Sequence, residues 1–278
     1  MKPPPFEYHA PATVDEALQL LAGGNGTYAL AGGQSLVQLM KFRQVKPSAL
    51  VDLNGVTGLD VLEERDGELH VGALVRQQRL LEDELGAEGW PLLREAARFV
   101  GYKETRRRGT VGGSLAFAAP WAELTAAAVA LDAQIDVRSL SGERTIPARS
   151  FFRGPNATAL EPGELIVRVR FPAPRARSEA AFHEVSARYR DYCQVAAAAV
   201  VSLDGAAELV LLRVAPTPYH VDASSALEDE GALESLLAAI EPEDDIEVSA
   251  AHRRRIAPVL ARRALRDAAE NARQRENA

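Results

Sequence analysis

Two short stretches of this 278-residue chain carry residue types whose spacing can do chemistry. The first is Ala29-Leu30-Ala31-Gly32-Gly33-Gln34-Ser35-Leu36. Thr27 to Ala31 reads as a short buried strand, and Ser35 opens an apolar run, Leu36-Val37-Gln38-Leu39-Met40, that suits a short helix. Strand, Gly-Gly turn and helix start together make an anion cradle. Glycines let backbone N–H groups approach a ligand with no Cβ in the way. Ser35 is a good N-cap, and a helix N-terminus favours negative charge. Thr110-Val111-Gly112-Gly113-Ser114-Leu115 repeats this chemistry far downstream. Two such turns, each after a β-capable pair, suggest two loops closing on one diphosphate. A single Gly-Gly pair is common turn punctuation. Neither stretch is a Walker loop, since no Gly-Lys-Ser/Thr follows, and neither is a Gly-x-Gly-x-x-Gly turn.

Other chemistry is sparse. Cys193 is the only cysteine, so the chain can form no internal disulfide and hold no iron–sulfur cluster alone. His9, His70, His183, His220 and His252 are scattered without ligand spacing, and a metal site in this chain is not expected. No triad or carboxylate pair stands out, so no catalytic residue is assigned. A net charge of −7 argues against nucleic-acid binding by phosphate neutralisation. No run approaches the roughly 18 apolar residues of a membrane span, and Met1-Lys2-Pro3-Pro4-Pro5 has no apolar signal core. The expectation is a soluble, cytoplasmic protein. At 26% charged and 47% hydrophobic residues it is globular, and its length suits more than one core.

Thr13-Val14-Asp15-Glu16 reads as a capping box, with Val14, Ala17, Leu18 and Leu21 on one helix face. With the strand at Thr27 and another at Ala49–Leu53, it suggests a small parallel α/β unit over residues 1–55. Leu59–Glu63 and Glu68–Gly72 flank an Asp66-Gly67 hairpin turn; helices are expected over Arg76–Asp83 and Pro91–Val100. Pro120 stands where a helix should begin, with Glu123 in its first turn and Leu124, Ala128 and Leu131 on its apolar face. Ile135–Ser139 and Thr145–Pro147 bracket another hairpin, and Leu165–Phe171 is a strand ended by Pro172. Residues 56–175 thus read as an α+β unit with an antiparallel sheet. Pro172–Arg175 is a linker. Beyond it lie a hairpin, Val195–Leu203 with Glu208–Ala215, a helix near Ala232–Ile240, and a last helix from Ala250. The arginines of that helix read as its solvated face.

The two stretches, continued as Val37-Gln38-Leu39-Met40-Lys41 and preceded by Arg108-Gly109, resemble signatures of the FAD-binding medium subunit of molybdenum hydroxylases, the carbon monoxide dehydrogenase and xanthine dehydrogenase family. His70-Val71-Gly72-Ala73-Leu74 and Phe182 through Val195, with Asp191-Tyr192, extend the likeness over nearly the whole chain. The resemblance implies an α+β fold: a vanillyl-alcohol-oxidase (PCMH-type) FAD-binding domain of two α/β subdomains over residues 1–175, about 1–55 and 56–175. A small C-terminal domain of antiparallel sheet and helices, like that of carbon monoxide dehydrogenase flavoproteins, follows over 176–278. It implies that Ala29, Leu30, Ala31, Gly32, Gly33, Gln34, Ser35 and Leu36 line the FAD diphosphate and flavin side. Thr110, Gly112, Gly113 and Ser114 make the second set of contacts, and Val100 is counted beside the cofactor.

Glu123 sits where the family has an acid that accepts from a sugar hydroxyl; favouring its own helix start is the other role, and both can hold. Ile166 is either beside the isoalloxazine or plain core. The family often has Ala-Asp-Pro where this chain has Ala118-Ala119-Pro120, and a lysine where His183-Glu184 follows Phe182. His183 or Glu184 could replace that lysine contact, and plain packing or exposure is the other role of His183. Arg106, Arg107 and Arg108 could face phosphate, a partner or solvent.

The implied function is electron transfer. Substrate is oxidised at a molybdopterin cofactor on a large subunit, and electrons pass through [2Fe-2S] clusters of a small subunit to this FAD and on to an external acceptor. A free-standing flavin oxidase or reductase of the same fold, and a flavin-free scaffold or maturation module, are the alternatives.

Overall fold

The structure, a computed structural model, describes residues 2–85 and 89–277. The chain begins with β1 (Glu7–His9), α1 (Val14–Leu21), β2 (Thr27–Leu30), α2 (Leu36–Lys41) and β3 (Ala49–Asp52). Both strand pairs are parallel, in the order β1-β3-β2. Parallel neighbours need crossovers, which α1 and α2 supply. The capping box forms: Thr13 Oγ1 accepts from the N–H of Glu16, whose carboxylate accepts from the N–H of Thr13. One expectation needs correcting. β2 is the edge of this sheet, with a neighbour on one side only, so Tyr28 and Ala29 are exposed rather than buried.

A five-stranded antiparallel sheet follows. It comprises β4 (Leu62–Arg65), β5 (Glu68–Gly72), β6 (Gln134–Ser139), β7 (Gly142–Pro147) and β10 (Leu165–Phe171), in the order β4-β5-β10-β6-β7. Asp66 and Gly67 turn the first hairpin with φ of 54° and 80°, the left-handed pair that two-residue hairpin loops need. β8 (Phe152–Gly154) and β9 (Ala157–Thr158) form a small separate ribbon. A four-stranded meander, β11 (Ser178–Ser186), β12 (Cys193–Ser202), β13 (Ala207–Leu212) and β14 (Tyr219–Asp222), completes the strands. Nothing in the sequence pattern had marked β11, the longest neighbour of β12.

Among the described residues, the helices between β5 and β6 include α3 (Arg79–Glu82), α4 (Pro91–Phe99), α5 (Lys103–Arg108), α6 (Val111–Phe117) and α7 (Glu123–Ala130). The expected helix over Arg76–Asp83 shrinks to α3. Its first residues are taken into backbone pairing with residues 106–112: Gln77 N–H donates to Gly109 O and Gln78 N–H to Arg106 O. α7 starts at Glu123, with Pro120 in the preceding turn. It has no polar face: all eight of its residues are buried. The reason is its place. α7 packs on α4 and on β12 and β13 of the meander, and a helix covered on every side is apolar all round.

Alternation along the meander sorts its side chains into two layers. Ala180, Phe182, Ala196, Ala198, Val210 and Leu212 join one core with α4 and α7. Ala181, Val195, Ala197, Leu209 and Leu211 face α9 (Glu230–Leu237) and α10 (Ala250–Glu276), after the short α8 (Ala148–Phe151) in chain order. In α10, Arg253 departs from the expected solvated face. It is buried, donating to the carbonyls of Glu243 and Gln194 and pairing with Asp245.

Candidate functional site

The first glycine stretch behaves as its residue types suggest. Gly33 takes φ +74°, a left-handed turn that L side chains rarely adopt. Among the described residues, the backbone N–H groups of Gly32, Gly33, Gln34 and Ser35 donate to no protein acceptor. They stand as four open donors in one turn. Ser35 precedes α2 but keeps a helical backbone, and its hydroxyl makes no capping bond. Its expected role as a side-chain cap is therefore corrected: the hydroxyl stays available.

The second stretch is built differently from the expected loop. Gly112, Gly113 and Ser114 are helical, inside α6, with Thr110 as N-cap. Thr110 Oγ1 accepts from Gly113 N–H at 3.0 Å. Val111 and Gly112 donate to Val75 O at 2.9 Å and Ala73 O at 3.0 Å. Its first-turn donors are thus engaged within the protein, and open N–H groups belong to the first stretch. Glycine is needed here for close approach instead. A Cβ on Gly112 would lie 2.6 Å from Ala73 Cβ. A Cβ on Gly113 would lie 2.7 Å from Thr110 Oγ1 and 3.7 Å from Ala31 Cβ.

The two stretches meet. A Cβ on Gly32 would lie 2.2 Å from the carbonyl oxygen of Arg108. The lack of a side chain at Gly32 lets the two backbones touch. Of the three arginines before the second stretch, Arg106 is buried and donates to Gln78 Oε1 and to the carbonyls of Val100 and Gly101. Arg107 and Arg108 are exposed.

Beyond the loops, Glu123 is 7% exposed and starts α7. Burial pushes its carboxyl up to about 7, against its own backbone N–H, which favours the charged form. Glu184, on β11, is pushed up to about 8 by burial and then by the charge of Glu123, with Arg190 opposing. Its Oε2 is buried with no hydrogen-bond partner. Two neighbouring carboxyls held towards their neutral forms are groups awaiting donors.

The remaining predicted residues separate. Val100 caps the C-terminal end of α4, half-buried. Ile166 is buried in the core of β10 at a bulge, next to Val167, whose carbonyl accepts from Ala73 N–H. The structure separates the two candidates for the lysine position, His183 and Glu184, by face. His183 follows Phe182 on β11 and so points to the opposite face, where Nε2 lies 2.8 Å from Asp267 Oδ2 of α10. Glu184, two residues from Phe182, is the one turned to the same face as that aromatic. Choosing between the two from sequence needed the register of a strand the pattern did not reveal. No three His, Cys, Asp or Glu side chains gather as a metal site among the described residues.

A family model described as the FAD binding domain in molybdopterin dehydrogenase matches residues 4–174. The chain belongs to that family. It is 44% identical over 205 residues to the alpha subunit of the 6-hydroxypseudooxynicotine dehydrogenase complex of Paenarthrobacter nicotinovorans, covering 73% of this chain and 69% of the relative. It is 31% identical over 279 residues to the carbon monoxide dehydrogenase medium chain of Hydrogenophaga pseudoflava, covering 95% and 97%. A chain in the crystal structure of quinoline 2-oxidoreductase from Pseudomonas putida 86 superposes with a TM-score of 0.91 at 36% identity, covering 98% of this chain and 99% of that one.

The residues present fit the FAD of the family. Four open N–H groups in a glycine turn suit the oxygens of a diphosphate. The orphaned Glu184 Oε2 and the buried carboxyl of Glu123 suit hydroxyl donors such as those of a sugar. The protein is an FAD-binding oxidoreductase component, and no helix among the described residues is long and apolar enough to cross a membrane.

Proposed function

We propose that this chain is the FAD-carrying electron-transfer subunit of a heteromeric molybdenum hydroxylase. The observation that carries the reading is the apposition of the two glycine stretches, with open donors on the first and close-packed glycines on the second. Substrate is oxidised at a molybdopterin cofactor on a large partner. Electrons cross [2Fe-2S] clusters of a small partner to the FAD here, and leave to an external acceptor in the cytoplasm.

FAD, when bound, supplies the redox chemistry. The chain's residues hold and orient it. Gly32 to Ser35 donate to the diphosphate, with Ala29, Leu30, Ala31 and Leu36 lining the approach. Thr110, Gly112, Gly113 and Ser114 back it from the second stretch. Glu123 accepts from a sugar hydroxyl, and Glu184, rather than His183, replaces the family's lysine contact. Val100 and Ile166 stand as lining residues. Residues 1–175 form the FAD-binding part and 176–278 the C-terminal part.

The test is expression alone and with the neighbouring subunits. Alone, the chain should purify yellow, release FAD by mass on denaturation, take electrons from a chemical reductant and oxidise no hydroxylase substrate. With its partners it should purify with iron, sulfide and molybdenum, and only that complex should hydroxylate. Turnover of an organic substrate by the isolated chain, at roughly 1 per second or faster, would establish a free-standing oxidase instead. A colourless chain that takes up no FAD would establish a scaffold.

A further inference from the structure

A short chain of hydrogen bonds ties the two glycine stretches to each other. Asn54, in the 3-10 turn Leu53–Gly55 after β3, donates from Nδ2 to the carbonyl of Ala31 at 3.0 Å. Its Oδ1 accepts from Arg76 Nη2 at 2.6 Å. Arg76 Nη1 donates to the carbonyl of Arg108 at 2.5 Å. That carbonyl is the atom on which a Cβ at Gly32 would land. Arg76 therefore holds the same atom that Gly32 abuts. Through Asn54 it also holds the carbonyl of the residue before Gly32. Its own backbone is bridged to Thr110, so its side chain starts beside the second stretch and reaches the first through Asn54.

The amide of Asn54 has one workable orientation. Its Nδ2 faces two acceptors, Ala31 O and Asp52 Oδ1, while its Oδ1 faces a guanidinium. Reversal would place oxygen against oxygen and N–H against N–H. Asp52 keeps it turned. Burial alone would raise this carboxyl, but bonds from Tyr8 and Asn54 and the nearby charge of Arg108 outweigh burial and hold it below the ordinary range. The arginine is equally specific. Its planar fork offers two donors at fixed separation, one to the Arg108 carbonyl and one to Asn54 Oδ1, whereas a lysine ammonium is a point charge.

We infer that Arg76, acting through Asn54, is a positioning residue for FAD, fixing the separation of the two glycine stretches and so the geometry of the diphosphate site. It works through protein carbonyls and needs no contact with the cofactor. The inference rests on reading the two stretches as that site.

The test titrates FAD into the FAD-free full chain, following quenching of flavin fluorescence, with far-UV circular dichroism as the folding control. The variants are Arg76→Ala, Asn54→Ala, the double variant and Arg76→Lys. Each single alanine variant should weaken FAD about tenfold or more, the loss of one or two charge-assisted hydrogen bonds. The double variant should bind no worse than the weaker single one, because one clamp is lost once. Arg76→Lys should stay defective although it keeps the charge. Wild-type affinity in Arg76→Lys would show that the charge acts on phosphate directly and would overturn the clamp, as would unchanged binding in either alanine variant or additive losses in the double. If Arg76→Ala does not fold, Asn54→Ala and Arg76→Lys decide: parallel losses support the clamp, and wild-type affinity in either overturns it. A wild-type chain that takes up no FAD refutes the site itself, a separate outcome.

Discussion

Glu123 gives the sharpest test of the buried carboxyls. Burial moves its carboxyl from an ordinary 4.5 to about 7. In the unfolded chain the group loses its proton near the ordinary value; in the folded chain it keeps it to about 7. Its folded-state pKa is raised, so the stability it allows is fully present below pH 4.5 and falls away as pH rises through 7. A tenfold change in proton affinity is about 1.4 kcal/mol, so the ionised folded state is disfavoured by roughly 3 kcal/mol at pH 8. Glutamine has nearly the shape of the protonated acid and cannot ionise. Glu123→Gln should therefore match wild type in urea unfolding of the FAD-free protein at pH 4, and exceed it by up to about 3 kcal/mol at pH 8. It should also lower the Glu184 carboxyl, since the charge of Glu123 is second only to burial in raising it. The same variant should bind FAD more weakly, and lose more for FAD than for FMN. Parallel pH profiles for the two proteins would refute the reasoning, because they would mean Glu123 is already ionised or solvated when folded.

Gly32→Ala should weaken FAD about tenfold or more while keeping its secondary structure, since the new methyl meets the Arg108 backbone and parts the two stretches; equilibrium titration checks it. Gly113→Val should act in the same direction by displacing Thr110 Oγ1 from its cap, and circular dichroism should show α6 otherwise intact. His183→Ala should leave FAD affinity within about twofold, because its ring is held by Asp267 on the far face of β11, whereas Glu184→Ala should weaken it about fivefold or more, the worth of one hydrogen bond. Equal effects of these last two on FAD titration would reverse the assignment of faces.

Local chemistry was legible in the sequence and register was not. The capping box at Thr13, the Asp66-Gly67 hairpin and the turn at Gly32-Gly33 depend on residues a few positions apart, and they stand where the pattern put them. α6 escaped because two adjacent glycines argue against a helix; what holds it is Thr110 and pairing with Ala73 and Val75, some forty residues away. The choice between His183 and Glu184 stayed open in the sequence because it turns on parity. One position along β11 exchanges the faces, and the strand's mixed sequence, Ser178-Glu179-Ala180-Ala181-Phe182-His183-Glu184, hides the alternation that would have shown it. Arg76 and Asn54 had no local signal, since each matters only through carbonyls brought near by folding.

The buried helix α7 has a consequence for how this protein can be divided. The recurrent family unit ends at residue 174, yet one apolar cluster runs from Leu62 to Leu212, crossing that boundary through Phe182, Cys193 and Ala198. An alanine-rich rod pressed from both sides has no surface prepared for water. A chain cut at the end of the family unit would bare one flank of that rod, and with it a sticky face of α4. The span matched by the family model and the core that packs α7 therefore end at different residues, so a stable truncation must keep the strands that shelter this helix.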